Sequence, residues 1–264
     1  MGKYVFCDLD FTLLDNDRNI SKDNLDAIKE FESKGNHFII CSGRVPFALE
    51  KYKNVLSATD LITSNGAWIY SNNKLIKSIT LDKEIIKIIT KYAIDNNINI
   101  RYFTYDRLYL LNQKFASSIG YLYDNSIEFD KNTIYDEIDK LDIIKLVFTS
   151  DNKNLLNKVY NDIKSMQLDV DLVFSLDVFL EANASNQNKG NAIIDYCKYY
   201  GIDTEDTVSI GDNDNDISML KTTGFSACPS NSIDEVKNVV DYICENDNDN
   251  NAVKEVLEYI NNHE

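Results

Sequence analysis

Long apolar runs are missing from this 264-residue chain. No stretch approaches the ~18 consecutive apolar residues that a membrane-spanning helix needs. The opening MGKYVFCDLD also lacks the apolar region and small-residue cleavage site of a secretory leader. Met1-Gly2 could open a myristoylation signal, but that signal wants Ser or Thr at position 6, where Phe6 stands. Histidine is nearly absent. His37 opens an apolar run and His263 ends the chain, and neither is expected to act as ligand or base. The five cysteines (Cys7, Cys41, Cys197, Cys228, Cys244) show no CxxC or other metal spacing, and Cys7 and Cys41 lie inside apolar runs. They are expected as buried, reduced thiols acting as small hydrophobes. Positive charge is scarce too. With 27 Lys and Arg against 43 Asp and Glu, the formal charge is −16 and the isoelectric point about 4.5. Such a field repels nucleic acid and anionic membrane surfaces, so neither is an expected partner. An anionic small substrate would have to be held by local positive charge or by a metal. The expected location is the cytoplasm.

What remains is an ordinary globular composition, 44% hydrophobic and 27% charged, long enough for one large domain or two modest ones. The first third alternates strand-like runs with helical periodicity: YVFCDL, the helix SKDNLDAIKEFESKG with Ser21 as N-cap and Gly35 as stop, HFIICSG, the helix VPFALEKYKNVL, and DLITSNG. The last third resumes the rhythm with NKGNAIIDYCKYYGI, TVSIGD, NDISMLKTTG, FSACP, SIDEVKNVV, DYIC and a helix over about 251–261. Strand, helix, strand in this order implies right-handed βαβ units and a parallel sheet. The middle breaks it. After the hairpin WIYSNNKLIKSIT comes a helix over about 81–96, with Ile85, Ile88, Ile89 and Tyr92 as its apolar stripe. Two strands around Asp106-Arg107, the strand IIKLVFTS, a helix over about 154–166 and VDLVFSLDVFLEANA follow. In RYFTYDRLYLL the aromatics are expected to pack a core. The expected fold class is α/β: a Rossmann-like parallel sheet in residues 1–81 and 185–264, interrupted by an α+β insert over 82–184. ENDNDNN is expected to be a solvated loop.

In an open parallel sheet, ligands bind outside the carboxyl ends of the strands. This sequence brings there Asp8 and Asp10, then Ser42-Gly43-Arg44, then Ser64-Asn65-Gly66, then the Asp212–Asp216 run of IGDNDND. Each piece alone could be an N-cap turn, a tight turn, a solvated loop or, for Lys189, a surface lysine. Together they fall at successive strand ends in one order.

That order resembles the haloacid dehalogenase-like superfamily. Its DxDxT motif is matched by Asp8, Asp10 and Thr12, its strand-end Ser or Thr by Ser42, its helix-start Lys by Lys189, and its GDxxxD loop by Gly211, Asp212 and Asp216. SGR, SNGA and GDNDND further resemble the Cof-type sugar-phosphatase branch. About 30 residues separate Thr12 from Ser42 and almost 150 separate Ser42 from Lys189. The insert therefore resembles the family's C2 cap, of the C2B kind.

The resemblance implies a magnesium-dependent phosphatase acting on small phosphorylated metabolites. Asp8 would be the nucleophile that forms an aspartyl-phosphate, and Asp10 the acid and then the base. Mg2+ would be held by Asp8, the backbone carbonyl of Asp10, and Asp212, with Asp216 in support. Lys189 would place positive charge on the phosphoryl group, the hydroxyls of Thr12 and Ser42 would donate to it, and Asn215 would reach a phosphate oxygen. Gly43, Arg44, Asn65 and Gly66 would serve substrate or cap contacts. A phosphomutase or phosphotransferase of the same fold stays open, as do a receiver-like phospho-accepting protein and a silent binding protein. Phe11 departs from the family, which has Gly there; it is expected to keep a negative φ and to pack its ring toward the cap or the following flap. The family's Gly before the terminal helix is absent from NDNDNNAV as well.

Overall fold

A computed structural model of the chain describes residues 2–111 and 126–262, without the side chains of Ser175 and Leu176, so His263 lies outside the described residues. The first five strands are β1 (Tyr4–Cys7), β2 (His37–Cys41), β3 (Leu61–Thr63), β4 (Trp68–Ser71) and β5 (Lys74–Ser78). Six follow: β6 (Asn99–Phe103), β7 (Leu108–Leu111), β8 (Ser126–Glu128), β9 (Lys145–Thr149), β10 (Val170–Leu176) and β11 (Phe179–Ala184). The last three are β12 (Thr207–Ile210), β13 (Phe225–Cys228) and β14 (Tyr242–Ile243). Two compact units result. One comprises Met1–Arg44, Leu49–Ser78 and Gln187–Glu264; the other comprises Val45–Ala48 and Ile79–Asn186.

The first unit is built on one sheet of order β14-β13-β12-β1-β2-β3-β4-β5, parallel as far as β3 and closed at that edge by the antiparallel pair β4 and β5. All four residues of YVFC in β1 are buried. A run without alternation is what a strand covered on both faces requires. Phe6, Ile39, Ile62, Ile193, Tyr196 and Met219 fill one core layer, and the five cysteines are buried and unpaired. Helix α1 (Lys22–Ser33) starts where the Ser21 hydroxyl accepts from the Asn24 amide, and Gly35 beyond its end is left-handed, φ +85°. From β1 the chain steps one way to β2 and β3, but β12, β13 and β14 step the other way. The strand order therefore reverses between β1 and β12, which is where such a sheet opens a crevice at its carboxyl edge.

The second unit is a sheet of order β10-β11-β9-β6-β7-β8, antiparallel except for the β7–β8 pair. Helices over Lys83–Asp95 and Lys153–Ser165 cover it through Ile86, Ile89, Leu156 and Val159, in one apolar cluster with Leu146 and Phe148 of β9. The apolar stripe of the first of these helices differs from the expected one. Ile86, Ile89 and Ala93 are buried while Ile88 is 45% exposed. The stripe turns because Thr90 can be buried on it, its hydroxyl 2.9 Å from that of Tyr102. VPFALEKYKNVL is not one helix either: Pro46–Ala48 is a single tight turn, and the helix is Glu50–Leu56. Val45 instead packs with Phe103, Leu108, Val147 and Phe179 of the second unit.

ENDNDNN is a largely exposed loop, as expected, with one buried residue. Asn248 is buried and its Nδ2 donates to the Leu14 carbonyl at 2.9 Å. The loop's backbone amides also find carboxylates, with Glu245 and Asn246 donating to Glu255 at 2.8 and 3.0 Å and Tyr242 adding its hydroxyl at 2.7 Å. Burial pushes the Glu255 carboxyl up, but these donors outweigh it and hold it below the usual carboxylate range. A depressed carboxyl contributes stability above its unfolded value and loses it as pH falls through the folded value. Glu255→Gln is expected to cost about 1–2 kcal/mol in denaturant unfolding at neutral pH. The gap to wild type should narrow as the pH falls below the ordinary glutamate value and close once it is below the lowered folded value.

Candidate active site

At the crevice, β1 ends in Cys7 and β12 in Ile210, so the next polar residues, Asp8 and Asp212, arrive side by side. Asp8 N donates to Ile210 O at 2.9 Å, carrying the strand pairing one residue further. Lys189 opens the helix Lys189–Tyr200, whose N-cap Asn188 accepts from Asn191 N. Its side chain is fully buried, with Nζ 2.5 Å from Asp8 Oδ1 and 2.6 Å from Asp216 Oδ1. The other Asp216 oxygen accepts from the amides of Asp212 and Asn213 at 2.9 and 3.0 Å. Gly211 makes this possible, because a Cβ there would lie 2.6 Å from the Asp216 side chain. Thr12 Oγ1 donates to Asp212 Oδ1 at 2.8 Å, so its hydroxyl orients a carboxylate.

One oxygen from each of Asp8, Asp212 and Asp216 lies within 4.8 Å of the others. Three buried carboxylates thus face one ammonium, and two negative charges go uncompensated when all are ionised. Burial pushes the Asp8 carboxyl well up against the pull of Lys189, and Asp216 and Asp212 push it further. Burial and then Asp216 push Asp212 up to about 7, opposed by the Thr12 hydrogen bond. Burial works against the Lys189 ammonium, but Asp216 and Asp8 outweigh it and keep it charged. An all-carboxylate donor set two positive charges short fits a hard divalent cation.

Asp10 is set apart from this cluster. Its carboxylate is gripped by Arg44, whose Nε and Nη2 donate to the two oxygens at 2.8 and 2.5 Å. Arg44 Nη1 reaches the Tyr52 hydroxyl at 3.2 Å, and the guanidinium lies 5.0 Å from the centre of that ring. The Asp10 side chain keeps 40% of its surface exposed, against 8% for Asp8. Ser42 is buried, and its hydroxyl accepts from Arg44 N at 3.2 Å. Its carbonyl accepts from Asn65 N at 3.1 Å. Asn65 Oδ1 accepts from Asn215 Nδ2 at 3.0 Å, and a Cβ on Gly43 would lie 2.9 Å from that Oδ1. Gly66 has φ +95°, and a Cβ there would be 2.4 Å from the Asn188 carbonyl, so no larger residue fits. The structure thus joins the sequence-predicted residues into a buried cluster (Asp8, Thr12, Lys189, Asp212, Asp216) and a more open set around Asp10 and Arg44.

Phe11 corrects an expectation. It has φ +59° and ψ 9°, the left-handed region, and the residue is 56% exposed. The cause is the turn over Leu9–Leu13, closed by Leu14 N donating to Leu9 O at 2.8 Å, which needs a reversal at its apex. A residue with a Cβ adopts that conformation at a cost of about 1–2 kcal/mol. Asn251, in the NDNDNNAV stretch, is left-handed as well, φ +70°, a conformation asparagine tolerates better than most. Two contributors stood outside the predicted set. Tyr52 sits one turn into a helix, where nothing marked it. Asn231 follows β13 and donates to the Phe11 carbonyl at 2.9 Å; the strand-end rule applied to FSACPSN would have pointed to it.

The profile of the haloacid dehalogenase-like hydrolases matches residues 5–257. The chain belongs to the haloacid dehalogenase-like hydrolase family. The 5-amino-6-(5-phospho-D-ribitylamino)uracil phosphatase YcsE of Bacillus subtilis is 25% identical over 98% of this chain and 96% of its own length. Among solved structures, a haloacid dehalogenase-like hydrolase from Bacteroides thetaiotaomicron superposes with TM-score 0.89 at 22% identity, covering 98% of this chain and 100% of that one. The subclass IIB sugar phosphatase BT4131 gives TM-score 0.78 at 20% identity, over 98% and 99%. The fold is therefore the Rossmann-like sheet with cap of Cof-type family members, and the chain is a phosphatase of the haloacid dehalogenase-like family. Among the described residues no helix is long and apolar enough to cross a membrane.

Removing Lys189 would leave the carboxylates of this hydrolase buried and unpaired. Lys189→Met is expected to destabilise the first unit by about 3–5 kcal/mol in denaturant unfolding. A loss below about 1 kcal/mol would mean that the carboxylates carry no charge in the folded state.

Proposed function

We propose that this enzyme hydrolyses small phosphorylated metabolites, sugar and polyol phosphates foremost, with Mg2+ and through an aspartyl-phosphate on Asp8. The observation that carries the reading is the Asp8–Lys189–Asp216 arrangement beside Asp212, a buried carboxylate fixed by an ammonium at a charge-deficient site. Asp8 Oδ1 is held by Lys189 at 2.5 Å, so the carboxylate is oriented before substrate arrives. Its attack on phosphorus forms the new P–O bond while the bond to the alkoxide breaks, and the alkoxide takes a proton from Asp10. Asp10, then ionised, takes a proton from the water that attacks the phosphorus of the intermediate, releasing phosphate and restoring the Asp8 carboxylate. Asp10 suits this double duty because it retains exposure, and Arg44 fixes its direction. Lys189 offers fixed charge to the equatorial oxygens, and Ser42 and Asn215 stand at the neighbouring strand ends as further donors.

Asp8, Asp212 and Asp216 would hold the Mg2+, with the Asp10 carbonyl as the family resemblance adds. When bound, it neutralises phosphate charge and the repulsion among the carboxylates. The names of relatives support this substrate class: one is a phosphatase of a phosphoribityl compound, and one structural neighbour is named a sugar phosphatase. Five unpaired buried thiols suit a reducing compartment, in keeping with a cytoplasmic enzyme.

Phosphate release over a panel of phosphorylated sugars, polyols and nucleotides should require Mg2+. It should fall by at least about 10^3-fold in Asp8→Asn. Wild-type turnover by Asp8→Asn, or full activity after chelation, would contradict the reading. Mg2+ at tenfold its Kd should also raise the unfolding free energy by about 1.4 kcal/mol, and Asp212→Asn should abolish that gain. Transfer to a sugar hydroxyl instead of water is the other fate of the same intermediate, and product analysis with a labelled sugar phosphate separates the two.

A further inference from the structure

Asn231, in the loop after β13, has no role in the chemistry above. It is exposed, yet both ends of its side-chain amide are engaged. Nδ2 donates to the Phe11 carbonyl at 2.9 Å, and Oδ1 accepts from Asn248 N at 3.0 Å. Asn248 is buried and donates through its own Nδ2 to the Leu14 carbonyl at 2.9 Å. The pair therefore grips the Leu9–Leu13 turn at its apex and at its far end. The same loop reaches the other acidic strand end, where Ile233 N donates to Asp212 O at 3.1 Å.

The turn needs such a grip because Phe11, at φ +59°, occupies a region disfavoured for a residue with a Cβ. Relaxing Phe11 toward negative φ would rotate the peptide planes on either side of it. Those planes orient Asp10, the acid and base, and Thr12, which orients Asp212. Swinging the Phe11 carbonyl away would break the Asn231 hydrogen bond, so the bond opposes relaxation. A glycine would not need this restraint, since it adopts positive φ about as readily as negative.

We propose that Asn231 is a positioning residue for the phosphoryl-transfer loop: together with Asn248 it holds the Phe11 carbonyl, and so keeps a strained turn in the shape that presents Asp10 and Thr12. The inference rests on the roles of Asp8, Asp10 and Thr12 given above. Because Asn231 is exposed, truncating it opens no core cavity.

The test is steady-state hydrolysis of an aryl phosphate with Mg2+ by wild type, Asn231→Ala, Asn231→Asp, Phe11→Gly, Phe11→Gly/Asn231→Ala and Asp8→Asn, each checked for folding by circular dichroism. Asn231→Ala should lower kcat roughly 10- to 100-fold while KM moves less than about threefold. Asn231→Asp keeps the acceptor for Asn248 but sets a carboxylate oxygen against the Phe11 carbonyl, so it should lose at least as much. In the Phe11→Gly background, whatever that change does by itself, adding Asn231→Ala should cost less than about threefold. Wild-type kcat in Asn231→Ala or Asn231→Asp overturns the inference, and so does an equal fold loss in both backgrounds. An inactive wild type, or an Asp8→Asn variant at the wild-type rate, overturns the phosphatase chemistry and this inference with it. An active wild type with an inactive Asp8→Asn confines any failure to Asn231.

Discussion

The site turns on one buried ammonium. Lys189, with no solvent exposure, lies between Asp8 and Asp216 at 2.5 and 2.6 Å. A charge so placed is tolerated only because its partners are equally buried and aimed at it. The sheet supplies that aim. Strand order reverses between β1 and β12, so two strand ends deliver Asp8 and Asp212 to one crevice, and the helix beginning at Lys189 sends its first side chain there. Gly211 then lets Asp216 fold beneath Asp212. With two negative charges still unbalanced, the cluster is incomplete as a closed electrostatic unit, and this deficit is what suits it to the cation proposed above.

Asp8 and Asp10 are two residues apart yet live in different surroundings. The first is almost dry and tied to a lysine. The second keeps 40% of its side-chain surface exposed and is forked by Arg44, which Tyr52 braces in turn. A nucleophile benefits from a fixed, desolvated seat, whereas a group that must exchange a proton with leaving group and water benefits from access. The left-handed turn at Phe11 lies between these two environments, and a neighbouring loop is tied to its carbonyl through Asn231.

Much of this was legible from residues alone. Strand-ending DLD, SGR, SNG and GDNDND, in that order, located the carboxyl edge, and the spacing between Ser42 and Lys189 left room for the second unit. Spacing reports connectivity, and a parallel sheet converts connectivity into position with little freedom. The misses have a different cause. Whether Phe11 takes positive φ depends on a turn closed by Leu9 and Leu14, not on phenylalanine's own preference. The stripe of the Lys83–Asp95 helix rotated by one position because a distant hydroxyl, Tyr102, satisfied Thr90. ENDNDNN is the solvated loop its composition suggested, but nothing in it marked Asn248 as the residue that reaches the Leu14 carbonyl over 200 residues away in sequence. Val45–Ala48 joined the second unit although the segments before and after it in sequence belong to the first. Polar side chains that pair across long sequence separations leave no local signature, and these are the features that tune the site.

The central claim is that Asp8 becomes covalently phosphorylated. Its most direct test is acid-quenched peptide mass spectrometry of Asp10→Asn during turnover of an aryl phosphate, whose good leaving group needs no acid in the first step but whose intermediate lacks its base in the second. The account predicts a peptide heavier by one phosphoryl group, with the modification on Asp8 and absent when Asp8 is also replaced by Asn. Turnover without any phosphorylated Asp8, or a phosphoryl group on another residue, would contradict it.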